Sequence, residues 1–126
     1  MPHSSPSTAQ IGKQAESLAC EYLQRPGLHD IERNYRTRTG EVDLIMQDGR
    51  TLVFVEVRFR SNPNYGSGAD SVTRRKQDKL INTALYYLQQ HPHYAHWETR
   101  FDVVSISSPA NHPEFEWIKN AFQAER

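Results

Sequence analysis

Cysteine is almost absent from this chain: Cys20 stands alone among 126 residues. That removes an intrachain disulfide framework, a multi-cysteine zinc site and an iron–sulfur cluster. Long apolar runs are missing as well, since no stretch approaches the ~18–20 residues a membrane-spanning helix needs. Residues 1–10 are polar, with Pro2, Pro6 and four Ser/Thr, and lack the apolar core of a signal peptide. The expected compartment is the cytoplasm. Glycine is scarce at six residues and never gathers into a phosphate-cradling loop, and no serine-nucleophile elbow is present. Net charge is lacking too: 15 Lys/Arg balance 15 Asp/Glu, which argues against nucleic-acid binding by bulk charge alone.

The length suits one domain, because single cores usually take roughly 100–200 residues. With 37% hydrophobic and 10% aromatic residues the chain can build a modest core. Its charge is unevenly spread. Residues 33–79 hold ten Lys/Arg and six Asp/Glu, an excess of four, while residues 1–32 and 80–126 are each negative by two. Arginine outnumbers lysine eleven to four, and a planar guanidinium suits bidentate phosphate contacts. The same pattern would also serve as a solvated charged face.

Residues 1–10 read as a disordered tail, residues 11–122 as one domain and residues 123–126 as a frayed end. Ile11, Ala15, Leu18, Ala19, Tyr22 and Leu23 fall at helical spacing until Pro26-Gly27 stops them. Leu28 to Arg36 is a weak strand. Two β-rich runs, Glu41–Gln47 and Arg50–Arg60, flank Asp48-Gly49, which predicts a hairpin with a type I′ turn. Ser61–Asp70 reads as a loop. A second helix is expected from near Ser71 to His91-Pro92, burying Val72, Leu80, Ile81, Ala84, Leu85 and Leu88. Thr99–Ile106 is a strand, Ser107–Pro113 a turn, and Phe115, Trp117 and Ile118 a short last strand. The order is α-β-β-β-α-β, with the short strand after it.

With Asp48-Gly49 as the two-residue loop, Gln47 pairs with Arg50, Asp43 faces Phe54 and Glu41 faces Glu56. Alternation then puts Glu41, Asp43, Glu56 and Arg58 on one face and Val42, Leu44, Met46, Val53, Val55, Val57 and Phe59 on the other. Asp43 and Glu56 become diagonal neighbours, with backbones roughly 7–8 Å apart and carboxylates able to converge on one ion. Glu41 opposite Glu56 is a like-charge pair that a cation or proton would relieve. Hard oxygen donors suit Mg²⁺ or Mn²⁺ better than zinc. Arg58 on the same face could offset the charge without any metal.

Asp43, followed at a distance by Glu56-Val57-Arg58 on the other arm of a hairpin, behind a helix bearing Glu16, resembles the PD-(D/E)XK nuclease core. Six ordered blocks are similar to the bacterial YraN-like family: Gly12-x-x-Ala-Glu16 with Ala19, Tyr22 and Leu23; Asn34-Tyr-Arg36; Gly40-Glu-Val-Asp-Leu-Ile45; Phe54-Val-Glu-Val-Arg58; Val72-Thr-x-x-Lys76-Gln77; and Arg100-Phe-Asp-Val103. They span about residues 11–122, and that family resembles the archaeal Holliday junction resolvases. The resemblance implies an α/β fold with a restriction-endonuclease-like core, a mixed four- to five-stranded sheet flanked by helices. It also implies metal ligands at Asp43 and Glu56, a helical carboxylate at Glu16, and a two-fold dimer such as resolvases form. Helix geometry permits the third ligand, since at ~100° per residue Glu16 lies ~20° from Leu23, at the edge of the buried stripe. Arg58 departs from the pattern, which has lysine there. A guanidinium stays protonated and cannot be the base that activates water, but it can stabilise charge on a phosphoryl group.

Lys76 and Gln77 open the second helix, where one can reach phosphate and the other faces the sheet. Arg74, Arg75 and Lys79 complete a basic cluster there, and Arg33, Arg36 and Arg38 are further phosphate candidates. Asp102 is placed to support the site from behind. His91, His93 and His96 could form a zinc clip, but Pro92 puts them in a terminating loop that would not control ring geometry. Cys20 falls opposite the apolar stripe of the first helix, with no histidine partner for a thiol nucleophile. The expectation is a Mg²⁺- or Mn²⁺-dependent endonuclease acting on DNA, branched or junction DNA included, with Glu16, Asp43, Glu56, Arg58 and Gln77 at its centre and Glu41 beside them. The alternatives are a non-cutting nucleic-acid-binding module on the same fold, and a protein-interaction domain.

Overall fold

The computed structural model describes residues 8–60, 72–107 and 112–124, with side chains from residue 12 onward. Its elements run α1 (Thr8–Gln24), β1 (His29–Arg36), β2 (Glu41–Asp48), β3 (Thr51–Arg60), α2 (Arg74–Gln90), β4 (Glu98–Ser107) and β5 (Glu114–Phe122), with a single 3-10 turn at Pro92–Tyr94. The α/β expectation holds as a five-stranded mixed sheet ordered β1-β2-β3-β4-β5. The first three strands and the last pair are antiparallel, and β3 and β4 are parallel. A parallel pair cannot be closed by a tight turn, so α2 makes the crossover.

Both faces of the sheet are covered, and β3 shows why. Val53 and Val55 join the α1-side cluster with Ala15, Ala19, Cys20 and Leu23, whereas Leu52 and Phe54 join the α2-side cluster with Leu80, Ile81, Ala84 and Tyr87. Alternate residues of an extended strand point to opposite faces, so an apolar run in both registers is buried twice over. Each such side chain contributes roughly 1.5–3 kcal/mol by leaving water.

Several expectations need correction. Residues 8–10, expected in the tail, form the first turn of α1, while residues 1–7 lie outside the described residues, as do the loop expected over 61–70 and most of the turn expected over 107–113. Cys20 is fully buried instead of lying opposite the apolar stripe, and Leu18 is exposed. The sheet offers α1 an arc running from Ala15 through Leu23 to Cys20. Burial pushes the Cys20 thiol up from its ordinary value. Helix α2 starts three residues after Ser71, where the Thr73 hydroxyl accepts from the Lys76 N–H and caps it. Tyr87 takes the buried place expected of Leu85, which is 53% exposed. Its ring packs edge-on against Phe54 and Tyr35. The last strand is longer than expected, running from Glu114 to Phe122.

Candidate functional site

The turn between β2 and β3 decides the geometry of the acidic residues. Asp48 pairs with Thr51, Gln47 with Leu52 and Leu44 with Val55, so the two-residue loop is Gly49-Arg50 instead of Asp48-Gly49. Positive φ occurs at Gly49 (62°) but not at Arg50, the pattern of a type II′ turn rather than I′. The pairing is therefore shifted by two residues from the expected one. Asp43, not Glu41, lies across from Glu56. The expected alternation also fails at Val42, which joins the α2-side cluster, while Leu44 and Met46 join the α1 side.

Beyond Leu44 and Val55 the two central strands part. β2 continues toward Glu41 as the partner of β1, which it meets at Arg36, and β3 continues to Arg60 as the partner of β4. At the fork the Val57 N–H, having no β2 carbonyl opposite it, donates to Asp43 Oδ2 at 2.8 Å. The gap lets α1 and α2, which cover opposite faces, approach the same place. Glu16 from α1 and Glu41 and Asp43 from β2 bring carboxylate oxygens within 4.8 Å of one another. Lys76 from α2 sets its ammonium 2.6 Å from Glu56 Oε2, and the Arg58 guanidinium lies 3.6 Å from the same oxygen. A cleft of about 270 Å³ opens here, lined by Gly40, Glu41, Asp43, Glu56, Val57, Lys76, Lys79 and Leu80.

Its electrostatics follow from crowding of like charges out of water. Burial, then the charge and hydrogen bond of Glu56, push the Asp43 carboxyl up to about 9, against the opposing Val57 N–H. Glu16 is also raised, first by burial and then by Glu41, while a hydrogen bond from Asn34 pulls the other way. Glu56 is 4% exposed, and its Oε2 has no well-directed hydrogen bond despite the nearby ammonium. The cations are unevenly placed: Lys76 and Arg58 both stand at Glu56 and Arg36 at Glu41, while Asp43 takes its hydrogen bond from the Val57 N–H.

Of the residues expected at the site, Glu16, Glu41, Asp43, Glu56, Arg58, Lys76 and Lys79 meet here. Gln77 does not: its side-chain amide donates to the Val72 carbonyl at 3.1 Å, tying down the approach to α2. Asp102 does not either. Fully buried, it accepts from Arg100 Nε, Trp117 Nε1 and the Asn120 N–H, and Arg100 extends that network to Asp48 beside the β2–β3 turn. It pairs along the sheet with Val55, on the α1 side, and fastens β5 to β4. Arg74 forms an i,i+4 pair with Asp78, Arg75 is exposed, Arg36 pairs with Glu41, and Arg33 pairs with Asp30. Arg38 lies in a second groove beside the cleft. His91 Nδ1 lies 2.8 Å from the Tyr87 carbonyl, and among the described residues His91, His93 and His96 do not bring three ring nitrogens together as a clip would.

Two contributors were missed from sequence. Asn34 holds a left-handed φ of 54° and reaches Glu16, a conformation asparagine tolerates better than most residues. Gly40 packs so closely on α2 that a Cβ would stand 3.1 Å from Thr83 Oγ1 and 3.3 Å from Lys79 Cβ.

Fold and cleft together define an α/β protein with an acidic pocket at a fork between central strands. Residues 15–106 match Uncharacterised protein family UPF0102, and the chain belongs to that family. Among its relatives, a UPF0102 protein of Stutzerimonas stutzeri is 47% identical over 90% of this chain and 94% of its own length. One of Methylococcus capsulatus is 50% identical over 90% and 91%. Pyrococcus furiosus SfsA, solved in complex with Ca²⁺, aligns at 11% identity over 94% of this chain and 74% of that one, with a TM-score of 0.37. A likeness that slight carries no argument. Among the described residues no helix is long and apolar enough to cross a membrane.

Proposed function

We propose that this protein is a divalent-metal-dependent nuclease of the PD-(D/E)XK type, hydrolysing phosphodiester bonds in DNA. The observation that carries this reading is the convergence of Glu16, Glu41 and Asp43 within 4.8 Å, with Asp43 in contact with a buried Glu56 that holds Lys76. Such a group of oxygen donors fits Mg²⁺ or Mn²⁺. The buried Glu56 Oε2 without a well-directed donor and the raised Asp43 carboxyl fit a site that accepts positive charge. Glu16 and Asp43 would hold the ion, with Glu41 and Glu56 beside them.

A bound ion would polarise the phosphoryl oxygen and make water more acidic. The chain's own groups divide the remaining work. Arg58 and Lys76 face the charge that builds on the phosphoryl oxygens as water oxygen bonds to phosphorus and the ester oxygen departs. Lys76 joins Arg58 at Glu56, and because a guanidinium stays protonated, Glu41, beside the ion without holding it, would accept the proton of the attacking water. Arg36, Arg38, Arg75 and Lys79 would contact phosphates on either side of the reacting one.

A second reading has one observation in its favour: Lys76 and Arg58 already flank Glu56, so the fold could bind nucleic acid without a metal and without cutting. Incubating branched, flapped and linear DNA with the protein, with and without Mn²⁺, separates the two. Metal-dependent cleavage absent from Asp43→Asn supports the nuclease. Binding with no cleavage under any metal would overturn it in favour of the non-cutting module.

A further inference from the structure

Beside the acidic cleft, across the β1–β2 turn, lies a second groove of about 460 Å³ whose α2 wall the catalytic reading leaves unused. One wall is the turn, with Arg36 and Arg38, and the other is the outer side of α2, with Asn82, Leu85, Tyr86 and Gln89. Positions 82, 85, 86 and 89 follow helical spacing, so this is one face, and all four are exposed. Leu85 is 53% and Tyr86 47% exposed. Groove and cleft touch: Arg36 lines the groove and pairs at 3.3 Å with Glu41, which lines the cleft.

We infer that this groove holds an unpaired nucleotide next to the phosphate to be cut, so that the substrate is DNA with a single-stranded segment at the site of action. The inference rests on the nuclease reading, which supplies both the nucleic-acid ligand and the phosphate to be cut. The lining brings two guanidinium groups and no carboxylate, which complements a phosphate backbone. On the facing wall stand a half-exposed phenol ring, on which a base can stack, and two side-chain amides that can meet a base edge. Bases inside a duplex have both faces covered by their neighbours, so only an unstacked base can use such a ring. The volume lies within the ~300–1,000 Å³ of small-ligand sites. A protein partner fits less well: Leu85 and Tyr86 are two apolar residues, far short of the ~800 Å² per side of a standard interface.

The test measures binding in Ca²⁺, independently of cleavage, using a duplex with a single-stranded flap carrying 2-aminopurine at the junction and a fully paired duplex of equal length. The flapped DNA should bind at least ~10-fold tighter, with its 2-aminopurine fluorescence quenched. Tyr86→Ala should weaken flap binding ~5- to 100-fold and abolish the quenching, while Tyr86→Phe retains both. Equal affinity for the two DNAs, unchanged in Tyr86→Ala, would overturn the inference and leave the nuclease reading standing. No binding of either DNA would overturn both. A dimer seen by sedimentation and lost in Leu85→Ser would assign the groove to self-association and overturn the inference too.

Discussion

At the scale of single residues, the cleft crowds carboxyl groups out of water and so favours their protonated forms. Asp43 titrates near 9 in the folded protein, against ~3.9 in an unfolded chain. Between those values the folded state holds a proton that the unfolded state has released, so stability falls as pH rises, by at most ~1.4 kcal/mol per unit. In EDTA, urea unfolding of the wild type should therefore show declining stability from pH 5 to 8, and Asp43→Asn should flatten the decline. Parallel curves would show that the carboxyl is not protonated. Mn²⁺ should reduce the slope by displacing that proton, and raise Tm in the wild type much more than in Asp43→Asn. Lys76 is judged by a double-mutant cycle. Glu56 is 5% exposed at its side chain and Lys76 42%, so Lys76→Met should cost about 1–3 kcal/mol, less than for a wholly buried pair. Glu56→Gln combined with Lys76→Met should lose little beyond the larger single loss; additive losses would mean the two do not interact.

At the scale of elements, the apolar runs either side of Asp48-Gly49 made the hairpin legible, and helical spacing made α1 and α2 legible. The register was not, because an Asp-Gly pair serves equally as the loop of a I′ turn or as the last strand residue and first loop residue of a II′ turn. That choice of two residues moves Glu56 from Glu41 to Asp43. The Lys76–Glu56 contact was also out of reach, since it joins residues twenty apart in sequence through a crossover whose path no local pattern fixes. Glu16 is implied by the family resemblance, which its angle on α1 permits without selecting it, and Asp102 is ambiguous in sequence because a buried carboxylate on a strand looks alike whether it serves a site or a hydrogen-bond hub. Gly40 has no physical role that the sequence pattern reveals, and the structure supplies one. Its φ needs no glycine, but its distance to α2 does: Thr37, Thr39 and Thr83 form a hydroxyl chain there, and Thr83 Oγ1 donates to the Lys79 carbonyl at 2.8 Å. Gly40→Ala should force the turn from α2 and cost about 1–3 kcal/mol, with any cleavage activity falling further than stability because Lys79 borders the cleft. An alanine protein of unchanged melting temperature would show that the turn gives way freely.

At the scale of the whole molecule, a net charge of zero and a nucleic-acid ligand are compatible only if the charge is local. Of the basic residues in 33–79, Arg36 and Arg38 line the groove at the β1–β2 turn and Lys79 lines the acidic cleft, with Arg75 one helical turn before it on α2, whereas Arg50 lies over Trp97. The groups are not equal. Arg74 is held by Asp78 at 3.7 Å and Arg36 by Glu41 at 3.3 Å, so each must loosen a carboxylate before it can neutralise a phosphate. Phosphate contacts release counterions, and each one lost should flatten the log–log dependence of affinity on salt by roughly 0.7–0.9. Fluorescence anisotropy of labelled flapped DNA across a salt series should therefore show Arg75→Ala and Lys79→Ala each lowering the slope by nearly a full contact, and Arg74→Ala lowering it by less. Asp43→Asn should leave the slope unchanged while affinity holds or tightens, because it removes a negative charge near the phosphate without removing a cation. A salt slope that no basic substitution alters would place the DNA elsewhere on the surface and separate the acidic cleft from nucleic acid altogether.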